Sequence, residues 1–248
     1  MVLTALISGA AEAPVAERQY YDLRVYTTEN QKQQGEINGY WEKAAIPAFR
    51  RAGTGPIGVF TETKDSETNR VYVLIPYESM GSFGGMAARL AGDAAYQEAA
   101  GEFMNRSKTD APYKRFDSSL LIAMKGMPKL ALPPSSAEKN PWIFELRTYL
   151  SPTEAKGANK IDMFNAGEIE IMKEVGLNPV FFAGTIAGPK MPSLIYMTSG
   201  ADMDEYKQKW KGFGPHPLWK KLMADPQYKN NMSGNESVFL KRTSASQI

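Results

Sequence analysis

The chain of 248 residues has no cysteine and a single histidine, His216. The first absence excludes disulfides, thiolate nucleophiles, iron–sulfur clusters and cysteine zinc sites. The second rules out a multi-histidine metal centre and confines any serine–histidine–acid triad to one position. A dominant charge is also lacking: 29 basic and 27 acidic residues give a net charge of +2, with the basic residues scattered. Nucleic acid is therefore not an expected partner. No apolar run approaches the ~20 residues that span a bilayer, so no integral membrane segment is expected. No metal and no cofactor are expected either. What is present, 43% hydrophobic and 23% charged residues, is the composition of an ordinary globular protein.

The N-terminus offers two readings. Residues 2–7 are apolar, and Ala11-Glu12-Ala13 matches the A-x-A pattern of a signal-peptidase site. On this reading residues 1–17 are the remnant of an export signal and the protein is exported, to the periplasm in a bacterium. The missing basic residues ahead of the apolar run, and Pro14 just after the site, fit the other reading, a disordered tail on a cytoplasmic protein.

The most informative feature is a repeat. Leu23-Arg24-Val25-Tyr26 reappears 123 residues later as Leu146-Arg147-Thr148-Tyr149, and the same offset pairs Gly53 with Gly176, Pro56 with Pro179 and Asp22 with Glu145. This implies two copies of one unit, at 18–126 and 141–248. Residues 127–140, with Pro128, Pro133-Pro134 and Ser135-Ser136, form a linker. In the first copy, alternation and β-favouring residues predict strands at 20–27, 57–61, 70–76 and 118–124. A capping box at Thr28 and Gln31 predicts the start of a helix that ends at Gly53, with Pro47 an awkward residue inside it. Further helices are expected at 82–90 and 93–105. In the second copy, Ser151-Pro152-Thr153-Glu154 reads as a helix start with Ser151 at the cap. Strands follow at 180–183, 194–198 and 237–241, and a helix at 202–211.

The order β-α-β-β-α-β is the ferredoxin-like split unit. One sheet face meets helices and the other must be covered. The expected fold is α+β: two tandem ferredoxin-like repeats packing sheet to sheet, in a closed or nearly closed antiparallel barrel with helices outside. Association between chains is the other way to cover the sheets, and a homo-oligomer is expected.

Side chains alternate along a strand. Tyr21, Leu23 and Val25 share one face, Asp22, Arg24 and Tyr26 the other. Glu145, Arg147 and Tyr149 match the second set. With the apolar set assigned to the helices, the acid, guanidinium and phenol would face the barrel. Arg clamps carboxylates and phosphates, and Tyr donates protons, so these six residues are candidate pocket residues. The competing structural role is an internal acid–Arg pair. Trp210 and His216 complete the candidates. They lie in Trp210-Lys211-Gly212-Phe213-Gly214-Pro215-His216-Pro217-Leu218-Trp219, where the second copy carries about nine extra residues and reads as a shaped loop. His216 could act as a general base or an axial haem ligand, or simply be ordered by its neighbours.

The paired Leu-Arg-x-Tyr openings, Phe144-Glu145-Leu146-Arg147-Thr148-Tyr149 above all, resemble the NIPSNAP family. So do the glycine–proline turns after the first helices and Asp225-Pro226-Gln227-Tyr228. The resemblance covers residues 18–245 and implies tandem dimeric α/β-barrel domains. It implies no catalytic set, so only the strand motif at Asp22, Arg24, Tyr26, Glu145, Arg147 and Tyr149 carries over. Animal members are associated with mitochondria and vesicle traffic, from which the export pattern here departs. The wider barrel superfamily contains cofactor-free monooxygenases, isomerases and haem proteins. The expected function is thus a non-catalytic binding or interaction module. The alternative is a small-molecule-binding enzyme, monooxygenase- or isomerase-like, with its pocket in the barrel. In either case the possible ligand is a small molecule.

Overall fold

The computed structural model describes residues 17–63, 69–134 and 142–248. The N-terminal apolar run and its A-x-A pattern lie outside the described residues, as do residues 135–140 of the expected linker. The first half contains β1 (Tyr20–Thr27), α1 (Gln31–Tyr40), a π turn (Trp41–Ala45), α2 (Ile46–Arg51), β2 (Gly58–Glu62), β3 (Arg70–Tyr77), α3 (Met80–Gly92), α4 (Ala94–Met104) and β4 (Arg115–Ala123). The second contains β5 (Ile143–Leu150), α5 (Glu154–Met163), a π turn (Phe164–Glu168), α6 (Ile169–Glu174), β6 (Asn178–Ala187), β7 (Ser193–Gly200), α7 (Met203–Phe213), α8 (Pro217–Ala224) and β8 (Gly234–Arg242). From β1 to the end of α2, every bound recurs 123 residues later in β5 to α6.

Local chemistry explains the boundaries. Both long helices begin later than the sequence predicts. The Asn30 side chain accepts from the Gln33 N–H at 3.1 Å, and Thr153 accepts from Lys156 at 3.3 Å. Thr28 and Ser151 instead donate their hydroxyls to the distant carbonyls of Asn69 and Asn231, so they clamp loops rather than cap helices. Pro47 lies just after the π turn, within a run that is helical on both sides, so its missing N–H leaves a gap in the backbone ladder there. It does not cause the π turn, because the second half makes the same turn with Glu170 at the matching position.

The eight strands form one closed antiparallel barrel in the order β1-β3-β2-β8-β5-β7-β6-β4. The halves join at their edges, β2 to β8 and β4 to β6. They share a single wall instead of stacking as two separate sheets. The interior is filled by side chains from both halves: Tyr21, Leu23, Phe60, Phe144, Leu146 and Phe181 belong to one buried cluster. Phe60 meets Phe144 with ring centroids 4.9 Å apart, and Tyr21 meets Phe181 at 5.2 Å.

This reverses the expected facing of the strands. The apolar set points into the barrel, and Asp22, Arg24 and Tyr26 point toward the helices, where Tyr26 packs with Ile37, Trp41 and Phe49. The reason is that both faces of a small closed barrel are buried. Its narrow interior takes the large apolar side chains of both halves, while the helix-covered side leaves the guanidinium heads a path to water.

Candidate functional site

Each opening strand carries the same small polar network. Arg24 Nε donates to Asp22 Oδ2 at 2.7 Å, and Ser118 donates to the other Asp22 oxygen at 2.6 Å. In the second half Arg147 Nε lies 2.8 Å from Glu145 Oε1, Ser237 donates to Glu145 Oε1, and Tyr206 donates to Glu145 Oε2 at 2.7 Å. Both serines are the cross-strand neighbours of the arginines, Ser118 opposite Arg24 and Ser237 opposite Arg147. The carboxylates are buried and the arginines about a quarter exposed. Each acid–Arg pair lies within one strand, and the serine bonds to the carboxylates tie β1 to β4 and β5 to β8.

The two copies then diverge. In the first, Arg24 is flanked by Trp41 and Phe116 at 5.9 and 5.6 Å. Tyr26 packs edge-on against Tyr113 and at a tilt against Phe116, both at 5.1 Å, and Tyr40 stacks on Phe103 at 4.3 Å. Aromatic rings thus occupy the space between sheet and helices. In the second, the corresponding region holds a cavity of about 710 Å³, lined by Arg147, Tyr149, Trp210, Phe213 and Trp219, with Met223 and Met232 at its exposed rim. Arg147 lies 4.4 Å from the centroid of the Trp210 ring, and the Tyr149 hydroxyl meets that of Tyr196 at 3.2 Å.

Two cavity residues were not anticipated. Lys160 donates to Glu168 Oε1, and both side chains are almost wholly buried. Lys160 has a second, weak contact with Met163 Sδ at 3.4 Å. Its ammonium lies 5.0 Å from the Phe164 ring, 5.6 Å from Tyr149 and 5.8 Å from Trp219. Glu168 Oε2 has no hydrogen-bond partner among the described residues. Burial raises the Glu168 pKa above the ordinary carboxylate value, with Lys160 opposing the shift. Burial likewise pushes the Tyr196 and Tyr206 hydroxyls up, so both stay protonated donors near neutrality.

Of the eight candidates from the sequence, Arg147, Tyr149 and Trp210 line this cavity. Asp22, Arg24 and Tyr26 lie in the other half, and Glu145 sits behind Arg147. His216 is elsewhere. Its Nδ1 accepts from the Leu218 N–H at 3.3 Å, capping α8, and its Nε2 meets Glu174 at 2.8 Å. The segment expected to be a loop is the end of α7 and the start of α8. A depression of about 480 Å³ opens at one end of the barrel, edged by Arg70, Asp117, Lys190 and Glu236, and none of the eight candidates lines it. Among the described residues no three His, Asp or Glu side chains converge to hold a metal ion, and no helix is long and apolar enough to cross a membrane.

The fold is shared with solved structures of very low sequence identity. A candidate monooxygenase from Fusobacterium nucleatum superposes with a TM-score of 0.58 at 9% identity, over 92% of this chain and 93% of that one. One from Lactobacillus acidophilus gives 0.58 at 10%, over 91% and 94%. A NIPSNAP family protein from Agrobacterium tumefaciens matches at 19% identity with a TM-score of 0.39, over 44% of this chain and 91% of that one. No curated protein matches the sequence. The family model for NIPSNAP matches both halves, at residues 21–119 and 144–247, and the chain belongs to that family.

Proposed function

We propose that this NIPSNAP protein binds a small molecule in the cavity of its second half, and that its first half is the structural copy of a duplicated unit. The carrying observation is the asymmetry between the halves. At matching positions the first half has Ile37 and Ala45, and the second has the buried pair Lys160 and Glu168 facing about 710 Å³ of aromatic-walled space. Ligand sites are concave, largely apolar and furnished with a few convergent polar groups, and a buried acid with a raised pKa in such a cleft marks a candidate site. Binding without an assigned reaction is the reading favoured here. The likeness to candidate monooxygenases is one of fold, and a fold does not carry its function with it. Export is proposed on the Ala11-Glu12-Ala13 pattern alone. Self-association is not needed to cover the sheets, because the strands close within one chain.

Trp210 and Trp219 supply the test. Titration with planar aromatic compounds should give a saturable change in tryptophan fluorescence. Leu222→Trp, which fills the cavity from α8, should abolish it. Absence of saturable binding across the panel, or equal binding by the filled variant, would remove the cavity from consideration as the site.

A further inference from the structure

Resting on that cavity as the binding site, we infer that its ligand is a planar aromatic compound bearing a hydroxyl group, read by the unfilled hydrogen-bonding capacity of Lys160 and Glu168. An ammonium has three protons to donate and a carboxylate accepts on both oxygens. Here one Lys160 proton goes to Glu168 and a second has only the Met163 sulfur. The third faces aromatic rings. Glu168 keeps one oxygen without a donor among the described residues. The pair therefore presents a donor and an acceptor side by side in a buried cavity, where polar groups left unmatched are costly.

Ligand classes can be sorted by this arrangement. A carboxylate accepts from Lys160 but repels Glu168. An amine does the reverse. A plain hydrocarbon answers neither. A hydroxyl answers both with a single atom, its oxygen accepting from Lys160 and its hydrogen going to Glu168 Oε2. The walls choose the rest of the molecule. Tyr149, Phe164 and Trp219 already surround the ammonium, and Trp210 and Phe213 continue the aromatic surface. Flat rings gain from such contacts by stacking and edge-on packing. The Arg147 charge is opposed by Glu145, 2.8 Å away. The first half supports the assignment from the opposite direction. With Ile37 and Ala45 in these two places it has neither donor nor acceptor there, and aromatic side chains occupy its space.

The experiment compares 2-naphthol, 2-methylnaphthalene and 2-naphthamide as probes, read by tryptophan fluorescence. The chain is used in its native form and as Lys160→Ile/Glu168→Ala, which installs the residues of the first half. Replacing a buried ion pair with apolar residues generally preserves folding. Should this double variant fail to fold, Glu168→Gln serves instead. The expected result is that the native chain binds 2-naphthol about tenfold or more tighter than 2-methylnaphthalene, the gain of one or two charge-assisted hydrogen bonds. The variant should bind the two alike. Equal binding of both by the native chain overturns hydroxyl recognition while leaving the cavity a binding site. Binding of neither overturns the cavity reading as well. A preference for 2-naphthol that survives the double replacement places hydroxyl recognition elsewhere. Tightest binding of 2-naphthamide replaces the hydroxyl with an amide.

Discussion

Lys160 and Glu168 stand where the first copy has Ile37 and Ala45, and their energetics can be read by titration. The Glu168 pKa is raised above 4.5, burial being the larger influence and Lys160 opposing it. The folded chain therefore holds that proton more tightly than the unfolded chain does. The stability this contributes is fully present below pH 4.5 and is lost as pH rises through the raised value. Lys160→Ile/Glu168→Ala removes the loss, so its stability relative to the native chain, from urea unfolding, should climb as pH rises above 4.5. A difference that stays flat or falls would contradict the burial argument. His216 gives the opposite kind of expectation. Because it caps α8 and does not line the cavity, His216→Ala should lower stability by about 0.5–2 kcal/mol and leave probe affinity unchanged. His216→Asn should recover most of the loss, since asparagine also caps. Loss of binding in His216→Ala with stability intact would restore this histidine to the candidate site.

The helices over the second half owe their position to one small residue. An added Cβ at Gly167 would lie 2.6 Å from Leu218 Cδ2 and 2.9 Å from its Cγ, so α8 rests directly on the π turn. The first half has Ala44 at the matching position, where α4 packs on the π turn through Tyr96 and Ala100. Gly167→Ala should therefore destabilise by about 1–3 kcal/mol through overpacking and disturb the wall formed by Trp219 and Leu222. Adding Leu218→Ala should return part of that stability, a coupling that a double-mutant cycle measures. Strict additivity would mean that the two groups do not meet. This junction also marks where the sequence was legible and where it was not. The repeat fixed the order of strands and helices well, because offset identities fall on strand and turn residues that local geometry demands. The segment from Trp210 to Trp219 read as a loop because its glycines and prolines dominate locally. Yet Pro217 is a favourable first residue of α8, and Gly212 and Gly214 end α7. Lys160 and Glu168 were legible in principle, as charges standing where the other copy has Ile37 and Ala45. A search for an apolar helical stripe passes over them.

Which face of β1 and β5 turns inward could not be read from either half alone. Alternation divides the side chains into two sets but says nothing about what each set will meet, and in this barrel Tyr21 meets Phe181 and Phe60 meets Phe144 across the junction of the copies. The interior is built by the two halves jointly, and so is the wall, since β2 and β8, and β4 and β6, are edges until they pair. The chain after β8 adds to this joint. Thr243 and Gln247 donate N–H groups to the Val59 and Ile57 carbonyls, and Ile248 is fully buried in the barrel core. Neither half should then persist as a soluble monomer. A fragment of residues 141–248 would expose two strand edges together with the apolar face of Phe144, Leu146, Val180, Phe181 and Met197, and such edges template association. Light scattering after size-exclusion chromatography should find this fragment self-associated, its paired edges imitating the missing half. Mixing with residues 18–134 should convert it to a one-to-one complex that restores the tryptophan fluorescence of the intact chain. A stable monomeric fragment would mean that the helices alone support the second half. The cavity over β5 would then be a property of one copy, independent of the barrel.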